Sequence, residues 1–371
     1  MTTRAPCTTK CITRAELAAL VADLAAAGTE VIAPVKSRDG RALDYQRIGR
    51  LEEAALGECA LPRRSLKEFF LPASEVLLRY RLAKNEVLIE EVPTSFPPRV
   101  ILGAKPCDAA GVEVLDEVMG WDYRDELWFG HRAATTIVSI ACPGADGVCF
   151  CTAVGLSPDA TKGADVLLTP AEGGFVAEAV TPKGEALLAA RRFADGQGTA
   201  GAEAFREAAR EKVARNLPAQ PAAFHAWLGK SFEHPAWKAI AQRCHGCGAC
   251  ASVCPTCHCF DIVDEPEGPD RGARRRNWDS CATCKFTLHA SGHNPRAGQN
   301  ERFRQRVMHK FATYPQRFGE VLCSGCGRCV RACPAGMDLP ELLGQLFRDA
   351  GVDPSARARL NCADGCPEGA L

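Results

Sequence analysis

Two cysteine runs constrain this chain more than any other feature. CHGCGACASVCP carries Cys244, Cys247, Cys250 and Cys254, and CSGCGRCVRACP carries Cys323, Cys326, Cys329 and Cys333. Each has the spacing C-x2-C-x2-C-x3-C-P, a ligand run for paired cubane iron–sulfur clusters. A 4Fe–4S cube takes one thiolate on each iron. Three closely spaced cysteines wrap three corners, and the proline turns the chain so that the fourth reaches the neighbouring cube. The expected ligation is therefore crossed. Cys244, Cys247, Cys250 and Cys333 hold one cube, and Cys323, Cys326, Cys329 and Cys254 hold the other. Structural zinc is the competing reading. It usually takes paired C-x2-C knuckles rather than four cysteines ending in Cys-Pro, and two full copies of the run favour clusters.

The rest of the composition agrees. There are 21 cysteines in 371 residues, and 46% hydrophobic content implies packed cores rather than disorder. Basic and acidic residues balance at 45 each, so nothing points to nucleic acid or an acidic lipid surface. MTTRAPCTTKCITRAE has no apolar core of a secretory signal and no twin-arginine pair. No stretch is long and apolar enough to span a bilayer. A cytoplasmic, reducing compartment is expected, where many cysteines mean metal rather than disulfides.

The first half reads as an α/β domain over residues 1–200. TRAELAALVADLAAAG is an amphipathic helix opened by a capping box, Thr13 to Glu16, and closed at Gly28. Strand-like apolar runs occur at TEVIAPVK, NEVLIEEV, RVILGA, TTIVSIA and DVLLT, with helical patterns such as GVEVLDEVM between some of them. This alternation predicts a mostly buried sheet with covering helices. A Gly- and Ala-rich interval from Pro182 to Ala204 reads as a loop leading into the helix AEAFREAAREKVARN. Residues 201–235 form a helical linker, 236–346 an α+β dicluster ferredoxin-like domain with a long insert (Cys257 to Leu322), and 347–371 a tail. Arg271 to Arg276, RGARRR, reads as a solvated loop, or as a docking face for an acidic redox partner.

Further cysteines lie outside the two runs. Cys107 follows the strand RVILGA, and Cys142, Cys149 and Cys151 follow the strand TTIVSIA. Both loops leave strands, so they meet if those strands end on one side of the sheet. Four thiols on Gly-rich loops are the number a third cube takes; the bland reading makes some of them small buried hydrophobes. A fragment ending near Arg215 would then hold that cube alone. Cys257, Cys259, Cys281 and Cys284 are four more thiols, candidates for a further cluster or a zinc, with His258 and His289 nearby. Cys7, Cys11, Cys362 and Cys366 near the termini read as exposed bystanders.

The order KPCD, CFCTAVG, CHGCGACASVCPTCHCFDIVD, WDSC, GHNPR, ERFRQRVMHKF and CSGCGRCVRACP resembles the beta-subunit family of cytoplasmic sulfhydrogenases. The A subunit of anaerobic sulfite reductase shares this kinship. The resemblance covers about Arg99 to Leu346. It implies an iron–sulfur electron carrier in a hetero-oligomer, set between a flavin subunit that handles NAD(P)H and a catalytic subunit. The catalytic subunit is a nickel–iron hydrogenase in one branch and a sirohaem sulfite reductase in the other. The two ferredoxin runs match cluster ligands, and Cys107, Cys142, Cys149 and Cys151 match recurring family cysteines. Two features depart from the pattern: Cys284, a second cysteine after the WDSC block, and the C-terminal NCADGCPEG. The chain shows no nickel–iron motif pair and no GxGxxG after a strand, so no catalytic residue is expected. Two other readings are a catalytic iron–sulfur reductase with substrate at an open cluster and a zinc-stabilised interaction module.

Overall fold

The computed structural model of the chain describes residues 8–351, apart from 58–59, 93–94, 145, 192, 196–198, 214–221 and 350. Its strands are β1 (Thr9–Thr13), β2 (Glu30–Lys36), β3 (Leu43–Arg47), β4 (Ser74–Leu82), β5 (Val87–Glu91), β6 (Arg99–Ala104), β7 (Thr135–Ile140), β8 (Val166–Ala171), β9 (Gly174–Ala179), β10 (Ala194–Asp195), β11 (Phe260–Pro266) and β12 (Arg271–Trp278). They make an eight-stranded sheet in the order β10-β1-β9-β8-β7-β6-β2-β3 and a four-stranded sheet in the order β11-β12-β4-β5.

In the large sheet β2, β6, β7 and β8 run parallel, and the strands flanking them are antiparallel. The parallel strands are buried almost throughout, which is why they read as continuous apolar runs rather than alternating ones. Their side chains still alternate between faces. Val31, Val100, Leu102, Val138 and Val166 pack with Leu17, Leu20 and Val21 of helix α1 (Arg14–Ala26). Ile32, Ile101 and Ile137 pack on the opposite face with Ala109, Val112, Leu115 and Met119 of α2 (Pro106–Trp121). Helix α1 begins at the expected box: Glu16 N–H donates to Thr13 Oγ1 at 3.2 Å, and Thr13 N–H donates to Glu16 Oε2 at 2.8 Å.

The small sheet joins two distant hairpins, β4–β5 from the first half and β11–β12 from the segment between the cysteine runs. RGARRR is thus neither a solvated loop nor a bare basic face; it lies in β12, an inner strand. Acidic residues on neighbouring strands make this possible. Arg274 pairs with Asp264 at 2.8 Å and Arg275 with Glu265 at 3.1 Å. Arg276 is buried between Glu75 and Asp125. Such cross-strand charge pairs replace the apolar pattern by which strands are usually recognised.

The Pro182–Ala204 interval also departs from expectation. It holds a helix at Pro182–Ala189, then β10, then the start of helix Thr199–Val213, whose Ala202, Ala209 and Val213 are buried. Thr181 caps the first of these helices through Gly184 N–H. A third core gathers Leu228, Trp237, Ile240, Phe303, Val307, Phe311, Leu343 and Leu346 with Phe150, Ala153 and Val154 from the loop after β7. Both the β4–β12 pairing and this core cross the expected boundary at residues 200–236. No helix among the described residues is long and apolar enough to cross a membrane.

Candidate metal centres

The two cysteine runs fold alike. Gly246 and Gly248 in the first, and Gly325 and Gly327 in the second, all have φ between +61° and +74°. The left-handed turns coil each run back on itself, which only glycine does without strain. Gly248 and Gly327 then open the short helices Ala249–Ser252 and Arg328–Arg331. Cys244, Cys247, Cys250 and Cys333 line one cavity. Cys254, Cys323, Cys326 and Cys329 line the next. Cys254, the last cysteine of the first run, therefore stands among those of the second, and Cys333 among those of the first. Backbone N–H groups reach the sulfurs, from Gly325 to Cys323 at 3.4 Å and from Met337 to Cys333 at 3.3 Å.

Cys107 sits in the first turn of α2, directly after β6, and Cys142 lies just beyond the end of β7. Because β6 and β7 are parallel neighbours, both loops emerge at one end of the sheet, the usual place for a site in an open α/β fold. Cys107, Cys142, Cys149 and Cys151 line a third cavity, and Gly325 and Cys326 complete its wall. The contact with the second run is close. Phe150 N–H donates to Gly325 O at 2.8 Å. A Cβ on Gly325 would stand 2.5 Å from Cys151 Cα. Beneath it, Arg328 of the second run pairs with Asp108 at 2.7 Å, and Tyr45 Oη donates to the same carboxylate at 2.8 Å. Burial, then the charge of neighbouring thiols, pushes Cys149 and Cys151 up to about 12. Burial, then Asp108 and Cys326, raises Cys107.

The residues at all three sites suit iron–sulfur cubes. Buried thiols such as Cys107, Cys149 and Cys151 resist ionisation on their own, and a cationic metal core reverses that cost. The glycine turns bring backbone close where a Cβ would obstruct. Arg306, buried in the walls of both ferredoxin-type cavities, has Nε and Nη2 without any protein acceptor; cluster sulfides are acceptors of the kind those N–H groups lack. When bound, such clusters supply reversible one-electron transfer.

The remaining described cysteines line none of these three cavities. Cys257 hydrogen-bonds to Cys254, an interaction that, with Lys310 and Arg306, holds Cys254 well below the ordinary thiol range. Cys259 is drawn down to about 6, chiefly by its hydrogen bond from Cys281. Cys284 is exposed. Of these four cysteines, Cys259 and Cys281 are thus in contact with each other, and Cys257 is in contact with Cys254. Among the described residues no group of three or more His, Cys, Asp or Glu side chains is placed to share a single metal ion. His258 stacks edge-on to His309 at 5.5 Å, and burial pushes it down to about 4. His289 pairs with His293 instead. Cys11 is half-buried in β1 rather than exposed, while Cys7, Cys362 and Cys366 lie outside the described residues.

The buried cations Arg306, Lys310 and Lys67 were not singled out in the sequence. A signal existed for two of them, since Arg306 and Lys310 stand four apart in one helical run and so share a face.

Known proteins accord with this geometry. Residues 243–337 match the 4Fe-4S dicluster domain family. Over 284 residues the chain is 30% identical to sulfhydrogenase 2 subunit beta of Pyrococcus furiosus, a match that spans 76% of this chain and 82% of the relative. No solved structure matches the chain. Cysteine geometry, the domain match and a similarity that spans three quarters of the chain converge: the chain belongs to the sulfhydrogenase beta-subunit family of iron–sulfur proteins.

Proposed function

We propose that this protein is an electron-transfer subunit with three 4Fe–4S cubes in series. Cys244, Cys247, Cys250 and Cys333 hold the first; Cys323, Cys326, Cys329 and Cys254 hold the second; Cys107, Cys142, Cys149 and Cys151 hold the third. The observation that carries this reading is contiguity. Cys329 and Arg306 belong to the walls of both the first and second cavities, and Cys326 to those of the second and third. The chain thus offers an unbroken path with the Cys254 site in the middle. Its outer ends are the Cys247 side, where that cysteine is exposed, and the strand-end loops after β6 and β7.

The residues around the path orient ligands and exclude water rather than move protons. Arg328 and Asp108 neutralise each other where the second and third sites meet. Phe150, buried in the third core, also lines the second cavity. We assign the two ends to two partner subunits, one handling NAD(P)H through a flavin and one carrying the catalytic metal, a nickel–iron hydrogenase or a sirohaem sulfite reductase. The relative's name, a sulfhydrogenase subunit, favours the hydrogenase. We assign the chain to a reducing, cytoplasmic setting, which 21 cysteines and the cluster-ligand spacing favour.

Anaerobically reconstituted protein should bind about twelve irons, and the paired substitution Cys107→Ser with Cys149→Ser should lower this to about eight. Iron near eight in the unaltered protein, unchanged by the pair, would leave only the two ferredoxin-type cubes. Zinc in place of iron would overturn the reading altogether.

A further inference from the structure

Helix Gln299–Met308 runs without a break into the π-helical turn His309–Thr313. Such widened turns are uncommon and concentrate at functional sites. This one carries Lys310 to Cys254, while Arg306, one turn earlier on the same face, reaches between the two ferredoxin-type cavities. We propose that these two buried cations set the reduction potentials of the paired cubes, with Arg306 acting on both and Lys310 on the cube that Cys254 helps to hold. The proposal rests on the relay reading above.

Arg306 is 6% exposed. Its surroundings are thiols: Cys250, Cys329, Cys257 and Cys254 are the groups whose charge acts on it. Cys250 belongs to the first cavity and Cys329 to both, so the guanidinium stands between the two centres. Lys310 is 2% exposed. Its Nζ lies 2.8 Å from Thr256 Oγ1, 2.8 Å from Leu322 O and 3.5 Å from Cys254 Sγ. Three acceptors around one nitrogen are what an ammonium group with three donors requires.

The contrast with the other arginines is informative. Arg328 is neutralised by Asp108, and Arg331 by Asp146. The opposite charges acting on Arg306 and Lys310 are those of thiols. A buried cation with no counter-charge costs several kcal/mol in general. An anionic cube supplies that counter-charge. A cube with four thiolates is an anion when oxidised and gains one further negative charge on reduction. A nearby cation therefore favours the reduced state more than the oxidised one, and the low-dielectric interior strengthens the effect. One electron enters each cube on reduction; no bond is made or broken, and the chemistry calls for no proton.

The test is an anaerobic redox titration with dithionite as electron donor, followed by electron paramagnetic resonance and paired with iron analysis. It compares the full chain with Arg306→Gln, Arg306→Lys and Lys310→Met. At full iron content, Arg306→Gln should lower two midpoints, and Arg306→Lys should restore most of the difference. Lys310→Met should lower one midpoint and leave the third-site signal unmoved. Each shift should reach about tenfold in the reduced-to-oxidised ratio at fixed potential, or about 59 mV for one electron. Unchanged midpoints in iron-replete Arg306→Gln overturn the role of Arg306. No shift in iron-replete Lys310→Met, or a shift of both midpoints, overturns the division of labour, and this variant decides the question if Arg306→Gln fails to fold. Absence of reducible clusters in the unaltered protein would instead sink the relay reading.

Discussion

Asp108 shows how much rests on one side chain. It is fully buried, adjoins Cys107, and receives the Arg328 guanidinium and the Tyr45 hydroxyl. Arg328 in turn donates through Nε to Pro62 O at 2.8 Å. The pair fixes the second cysteine run against the start of α2, and with it the spacing of the second and third sites. Asp108→Asn removes the carboxylate that pairs with a buried guanidinium. It should cost about 3–5 kcal/mol, seen as a lowered chemical-denaturation midpoint. Asp44→Asn breaks the solvent-facing pair with Arg63 and should cost less than about 1 kcal/mol. Equal losses for the two would mean that burial does not set the value of the Asp108 pair. Nothing local in the sequence marks this partnership, because the two residues lie 220 positions apart.

At the scale of elements, legibility followed the kind of burial. Strands β6, β7 and β8 are buried on both faces, and their unbroken apolar runs announce them. Helix α1 was legible from Thr13 and Glu16. The cysteine spacing was readable as a ligand pattern, since ligand geometry acts over a few residues. Strand β12 was hidden, because its arginines are neutralised by acids on strands that no local pattern identifies. The four later cysteines, Cys257 to Cys284, have ligand-like spacing and flank the β11–β12 hairpin, whose pairing of Phe260 with Trp278 brings Cys259 to Cys281. Glycine turns offer a direct test at this scale. Gly325→Ala would place a Cβ 2.5 Å from Cys151 Cα, against backbone that has little room to yield, at a φ of +61°. It should remove about four irons by displacing the Cys149–Cys151 loop. Gly292→Ala also has positive φ but meets nothing within 4 Å, so it should cost about 1 kcal/mol and leave iron content unchanged. A Gly325→Ala protein with full iron would show that the loop yields without losing its ligands.

Over the whole molecule, the third site is the clearest case where sequence and structure part. All four of its cysteines precede residue 200, and the sequence alone assigns them to a self-sufficient first half. The structure builds their surroundings from both halves. Gly325 and Cys326 form part of the cavity wall, Arg328 neutralises Asp108, and Phe150 is buried in the core of the second half. Strand β4 also takes its inner neighbour, β12, from beyond the first cysteine run. A fragment of residues 1–213 would therefore lose one wall of the site and leave Asp108 buried without its cation. It would also open an unpaired edge on β4, a template for aggregation. The fragment should be poorly soluble and hold little iron, and co-expression with residues 222–351 should restore both solubility and about twelve irons to the complex. A soluble, monomeric fragment that binds about four irons by itself would show that the third site is independent after all. The interlocked architecture would then be packing around the site rather than a condition for it.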